Sequence, residues 1–344
     1  MDIDQLLTQA VANRASDLHI SAGLEPMVRV DGDLARVDHP PVDNDEVLEV
    51  LRYTMNEAQH KDFETRGETD YSYALPEVSR FRVNAFTHNR GVGAAFRMIP
   101  DKIVTLDELG APALFGDLAR LPRGIVLVTG PTGSGKSTTL AAMVDEKNRS
   151  EAGHILTIED PIEFLHESKS CLVNQREVFR DTNSFADALR SALREDPDTI
   201  LVGELRDLET IRLALTAAET GHLVLATVHT SSAPKTIDRV IDVFPGTEQA
   251  MVRGMLSESL RAVITQTLLK KNGGGRIAAH EIMVGTPAIR NLIREGKVAQ
   301  MYSAIQTGQA TGMQTLEQNL QALTRQGIIS TEEARRSSND PGRT

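Results

Sequence analysis

Cysteine is almost absent from this chain: Cys171 is the only one in 344 residues, which excludes an internal disulfide framework and any zinc site built from several cysteines. There is no tryptophan, and aromatic residues make up only 4%, leaving little material for a stacking platform on single-stranded nucleic acid. No apolar run approaches the ~20 residues of a membrane span, and residues 1–16 show no basic segment leading into an apolar core. The expectation is a cytoplasmic protein with no direct membrane insertion, associating peripherally with an inner membrane only through a partner. Positive charge is also scarce. With 37 Lys plus Arg against 48 Asp plus Glu, the formal net charge is -11, a field that opposes docking on phosphate backbones or anionic lipid. No nucleic-acid partner is expected.

What remains is an ordinary globular composition, 40% hydrophobic and 25% charged, at a length that favours two domains. In the first hundred residues, helical spacing over residues 3–13 precedes a short strand at 17–21. Residues 28–37 alternate around Asp31-Gly32, a hairpin signal, and residues 45–66 read as one helix ended by Gly67. Strands at 79–87 and 91–99 flank a turn and should pair as a second hairpin. From Gly124 the pattern changes to apolar runs at 125–129, 154–158, 199–202 and 223–228 separated by helices, which predicts buried, mainly parallel strands covered on both faces. Helices follow at 233–243 and 248–269, then a strand at 276–283 and further helices. The fold class is therefore α/β. An N-terminal α+β domain spans residues 1–100, a linker 101–112 and the second domain 113–336, with a polar tail at 337–344 expected to be disordered.

The run Gly130, Pro131, Thr132, Gly133, Ser134, Gly135, Lys136, Ser137 fits the phosphate-loop pattern completely, follows a β-branched strand and leads through Thr138 into a helix. Backbone N–H groups and the helix N-terminus would enclose phosphates, Lys136 would reach the β and γ phosphates, and Ser137 would ligate Mg²⁺. ATP and Mg²⁺ are the expected cofactors. Hydrolysis also needs acids, and Glu159, Asp160 and Glu163 lie just beyond one strand while Glu204 lies beyond another. Ligands collect at the carboxyl ends of such strands. Solvated loop acids are the bland alternative. His222 and His229 bracket the strand at 223–228, where a histidine could sense a γ-phosphate or simply cap the core.

Together these segments resemble the type II and type IV secretion ATPases and, within them, the PilT-like pilus retraction ATPases. The likeness spans nearly the whole chain: phosphate loop, an aspartate box at 157–164, a Walker B segment at 200–207 and a histidine box at 221–244 occur in order. It implies a PAS-like N-terminal domain, a RecA-like ATPase domain, and a homohexameric motor that retracts a type IV pilus against an inner-membrane platform protein. By the same resemblance Glu163 polarises the attacking water, Glu204 supports Mg²⁺ and its waters, and His222 and His229 line the γ-phosphate side. Arg82 and Arg97 would be arginine fingers supplied across subunits, because the second domain offers no evident arginine in cis. On alternation alone Arg80 and Arg82 share one strand face, Phe81 and Val83 the other, and a solvated face remains the plain alternative. Near the C-terminus, Ala288, Ile289, Arg290, Asn291, Leu292, Ile293, Arg294 and Glu295 match the AIRNLIRE signature associated with retraction. Spacing alone gives a packed helix with Ile289, Leu292 and Ile293 inward and Arg290, Asn291 and Arg294 left for contacts. An accessory retraction paralogue stays open. An assembly ATPase would carry a four-cysteine zinc element, which Cys171 alone excludes, and a DNA motor would need a basic track.

Overall fold

In the computed structural model, which describes residues 1–30, 32–99 and 102–338, the chain divides into two units, Met1–Lys102 and Ile103–Thr344. The first unit carries β1 (Asp17–Ser21), β2 (Met27–Val30), β3 (Asp33–Arg36), β4 (Glu68–Leu75), β5 (Ser79–His88) and β6 (Gly91–Ile99) in one antiparallel sheet of order β3-β2-β1-β6-β5-β4. Both expected hairpins form, β2 with β3 and β5 with β6. Asp31, at the tip of the first, and Pro100 and Asp101, where the linker was expected, lie outside the described residues. Leu7, Val47, Leu51, Leu18, Ile20, Phe81 and Phe96 meet in this unit's core, each at most 1% exposed.

The single helix expected over residues 45–66 is two, Asn44–Thr54 and Glu57–Arg66. Asn56 explains the break. Its side chain accepts from the Gln59 backbone while the Gln59 side chain accepts from the Asn56 backbone, both at 2.9 Å, a reciprocal cap that makes a fresh helix start cheaper than continuation. Strand β4, whose Thr69, Tyr71, Tyr73 and Leu75 alternate with polar or small residues, was not among the expected strands; its partner β5 supplies the register.

The second unit carries β7 (Gly124–Thr129), β8 (His154–Glu159), β9 (Leu172–Glu177), β10 (Thr199–Val202), β11 (Leu223–Val228), β12 (Leu260–Lys270) and β13 (Arg276–Val284) in the order β13-β12-β7-β11-β10-β8-β9. Neighbours run parallel except β12 with β13. Alternate residues serve opposite faces. Ile125, Leu127, Leu156, Ile158, Val224 and Ala226 pack on helices Leu208–Glu219, Ala233–Asp242 and Gly246–Ser259. Val126, Val128, Ile155 and Leu225 pack on helices Leu114–Ala119 and Lys136–Ser150. The helix expected to run to residue 269 stops at Ser259, and β12 takes its place. Ala262, Val263 and Ile264 are fully buried there, and β-branched side chains pack better on a pleated surface with partners on both sides than on a helix. At the other end, Ser337 still closes helix Thr331–Ser337, and residues 339–344 lie outside the described residues.

Ile264 pairs with Val128 of β7 and Ile282 of β13, so Ile264→Ala opens a cavity between three strands. Denaturant unfolding should show a loss of about 2–5 kcal/mol; a loss under ~0.5 kcal/mol would contradict the buried strand.

Candidate nucleotide site

The parallel register decides where the phosphate loop opens. Strand β7 ends at Thr129, and Gly130 turns the chain with φ 140°. A Cβ there would stand 2.3 Å from the Gln266 carbonyl, so only glycine fits beneath β12. Gln266, 1% exposed, braces the loop from that strand: its Nε2 donates to the Ser134 carbonyl at 2.6 Å and its Oε1 accepts from the Thr139 hydroxyl at 3.0 Å. Lys136 is 8% exposed and its Nζ donates to the carbonyls of Gly130 and Pro131 at 3.1 and 3.0 Å. Burial lowers the Lys136 pKa, while Glu204 and Glu163 raise it; those two acids therefore act on the ammonium. Pro131, Thr132 and Gly133 form the exposed rim, and Ser137 and Thr138 are half-buried in the first helical turn. The Ser134 hydroxyl is buried without a hydrogen-bond partner, an orphan that a phosphate oxygen would satisfy.

The acids stand at the ends of the neighbouring strands. Half-buried Glu159 closes β8; its Oε1 accepts from the Thr157 hydroxyl at 2.7 Å and from Gln175 at 3.3 Å, and its Oε2 accepts from the backbone N–H of Glu163 at 3.4 Å. Burial pushes the Glu159 carboxyl up to about 7, and its contact with the Glu163 backbone ties it to that segment. Glu204, beyond β10, lies 3.3 Å from Nε2 of His229 and 2.7 Å from Nη2 of Arg206. Gly203 allows the two strand ends to approach: a Cβ on it would meet the Glu159 Cα and the Ile158 carbonyl at 3.3 Å.

Arg206 is the arginine in cis that sequence reading did not find. It lies two residues past Glu204 and is mostly exposed, so nothing but the spacing Glu-x-Arg marks it. Gln266 was equally invisible, because its segment read as helix. His222 stands away from the loop of its own unit. It sits at the amino end of β11, where its carbonyl accepts from Gly124 at 3.0 Å, and its Nδ1 lies 3.0 Å from the Ala217 carbonyl. Six strand residues separate it from the loop end of the sheet, roughly 20 Å at 3.3 Å per residue. Within its own unit, His222 does not line the γ-phosphate side; His229 stands at that end.

In the first unit, Arg82 and Arg97 are direct cross-strand partners on β5 and β6. Phe81 and Val83 point inward and are fully buried, as alternation required. Like charges directly opposite one another are unfavourable. Asp17 accepts from Arg97 Nε at 2.9 Å and Asp70 lies 3.8 Å from Arg82 Nε, while both guanidinium groups remain more than a third exposed. The signature helix is Pro287–Arg294, capped by the Thr286 hydroxyl. Ala288, Asn291, Arg294 and Glu295 are exposed, Ile289 and Ile293 are buried and Leu292 is half-buried. Arg290 is not the open contact residue expected: it is half-buried, with its Nε donating to the Gly285 carbonyl at 2.8 Å.

Among the described residues no group of three or more His, Cys, Asp or Glu could hold a metal alone. The Ser137 hydroxyl in the first helical turn and the Glu204 carboxylate beyond β10 are the oxygen donors that would hold Mg²⁺, an ion that takes few protein ligands and keeps waters and phosphate oxygens.

The raised Glu159 pKa gives a pH signature. The folded state binds the proton more tightly than the unfolded chain, so this group's cost is absent below about 4.5 and grows as pH rises to about 7. Glu159→Gln should remove that slope and gain roughly 1–3 kcal/mol over the parent at pH 8 with no gain at pH 4. Equal pH profiles for the two proteins in denaturant titrations would contradict the burial.

The model of the type II/IV secretion system protein family matches residues 1–336. The type IV pilus retraction ATPase PilT of Pseudomonas aeruginosa is 66% identical over 341 residues, covering 99% of each chain. A twitching motility protein of Neisseria gonorrhoeae is 58% identical over 96% of this chain and 88% of its own. Among solved structures, the pilus retraction motor PilT with bound ADP superposes with a TM-score of 0.92 at 46% identity, covering 100% of this chain and 99% of that one. Its fold joins an N-terminal domain to a RecA-like ATPase domain, the same division seen here. Among the described residues no helix is long and apolar enough to cross a membrane. The chain belongs to the type II/IV secretion system protein family, in the branch of the PilT-like type IV pilus retraction ATPases.

Proposed function

We propose that this protein is an ATP-hydrolysing motor that drives type IV pilus retraction and twitching motility, working as a homohexamer at the cytoplasmic face of the inner membrane beside a pilus platform protein. The observation that carries the reading is the row of groups at the carboxyl ends of β7, β8, β10 and β11: Lys136, Glu163, Glu204 and His229.

In this mechanism the loop N–H groups, Lys136 and the Ser134 hydroxyl hold the β and γ phosphates. Mg²⁺, when bound, neutralises charge on those oxygens. Ser137 and Glu204 are the oxygen donors that would hold the ion. Glu163 orients the attacking water and takes its proton, with Glu159 fixing the Glu163 backbone through the contact at 3.4 Å. His229 and Arg206, both on Glu204, are set to register loss of the γ-phosphate, since either can exchange its carboxylate for a phosphate oxygen. Arg82 and Arg97 of an adjacent subunit supply positive charge to the transferring phosphoryl. Their placement as an opposed pair, each more than a third exposed, supports an external anion as the occupant.

Lys136→Ala should abolish hydrolysis and greatly weaken ATP binding without unfolding the chain. Glu163→Gln should still bind ATP and lose ~10²–10⁴ in turnover, the usual contribution of a general base. Fluorescent-nucleotide titration beside steady-state turnover checks both; parental turnover in either variant would sink the assignment.

A further inference from the structure

Glu163 belongs to the connection between β8 and β9, residues 160–171, which lies in neither helix nor strand. Backbone without a ladder of its own needs outside partners for its polar groups. The parallel pairing of β8 with the edge strand β9 supplies them. That register sets Thr157 beside Gln175 and Glu159 beside Glu177. Residues two apart share a sheet face, so these four polar side chains form one patch at the carboxyl ends of the two strands.

The patch grips the connection on both sides of Glu163. Glu177, 6% exposed, accepts from the Ile162 N–H at 3.1 Å. Glu159 accepts from the Glu163 N–H, and the Thr157 hydroxyl donates to Glu159. Gln175 makes three bonds. Its Nε2 donates to the Phe164 carbonyl at 2.9 Å and to Glu159 Oε1 at 3.3 Å, and its Oε1 accepts from the His166 N–H at 2.7 Å. Burial adds to the grip, since Ile162 is 3% and Phe164 7% exposed. Glu163 between them stays half-buried, with its charge acting on Lys136. The alternate residues of β9 serve the strand instead: Asn174 Oδ1 lies 2.9 Å from His154 Nε2, and Arg176 Nη1 donates to Glu195 at 3.0 Å.

We propose that Gln175 and Glu177 are positioning residues for the general base, and that β9 is the cradle fixing the backbone on either side of Glu163. The proposal deepens the motor reading and rests on it, because it needs Glu163 to orient the attacking water. A carboxylate displaced by about 1 Å from its water forfeits up to ~10² in rate. Nucleotide affinity comes from the phosphate loop on β7 and does not draw on this cradle.

The test uses the full-length protein, with steady-state turnover beside fluorescent-nucleotide titration. Gln175→Ala should lower kcat about ten- to a hundredfold while KM and nucleotide affinity stay within about twofold. Gln175→Glu, equal in size, keeps an acceptor for the His166 N–H but cannot donate to the Phe164 carbonyl, and should also lower kcat at unchanged affinity. Asn174→Ala disturbs the other face of β9 and should keep parental turnover. In single-turnover hydrolysis, Gln175→Ala added to Glu163→Gln should cost less than about a further twofold, because the residue acts only through Glu163; a merely structural role multiplies the two losses. Parental kcat in both Gln175 variants, affinity falling in step with turnover, an equal loss in Asn174→Ala, or multiplied losses overturns the cradle. Parental turnover in Glu163→Gln counts instead against the reading of Glu163 as base.

Discussion

The parallel register of β7, β8, β10 and β11 is the constraint on which the rest depends. It pairs Val202 with Ile158 and Ala226, and Val228 with Thr129, so the chain leaves all four strands along one edge. Each exit carries a functional group: the loop lysine from β7, carboxylates from β8 and β10, and a histidine from β11. In an antiparallel arrangement of the same strand order only alternate strands would share an edge, so the four groups could not all meet. Burial on both faces holds the register, because a slip of one residue would turn Leu127, Ile158 and Ala226 away from the helices they pack against.

Sequence reading reached what local chemistry dictates. The phosphate loop needs its glycines and lysine in a fixed order, and the Walker B glutamate follows a strand too apolar to be anything but buried. Arginine placement on β5 was equally legible, since alternation alone separates Arg82 from Phe81 and Val83. What stayed hidden depends on distant partners. Strand β12 reads as helix until β7 and β13 stand on either side of it, and with it went Gln266, the brace under the loop. His222 illustrates the opposite failure: a motif that brackets a strand looks like one site, although the strand's own length carries its two ends apart. Arg206 was overlooked because an exposed arginine near acids is, on sequence alone, an ordinary surface residue.

The second unit thus has two chemically distinct ends. One concentrates carboxylates around a single buried lysine, and Glu159 near neutrality lets that crowd exist without full mutual repulsion. At the other, Arg123 and Arg261 stand among Glu219 and Glu258 near the amino ends of β7 and β12. Strands β7 and β11 join the two, with Gly124 and His222 at one end and Thr129 and His229 at the other. A rigid, doubly covered sheet is a suitable element for carrying a change at the nucleotide to a remote contact surface, because packed cores shift as units rather than deform.

In the proposed motor the active site is completed by a neighbouring copy. Mixing Glu163→Gln subunits with Arg82→Ala subunits tests it most directly, because each protein is expected to be nearly inactive alone. ATP turnover of the mixture should rise well above the sum of the two, as intact nucleotide domains meet intact arginines at some interfaces. A mixture no more active than its components, with subunit exchange demonstrated by fluorescence transfer, would contradict the shared site.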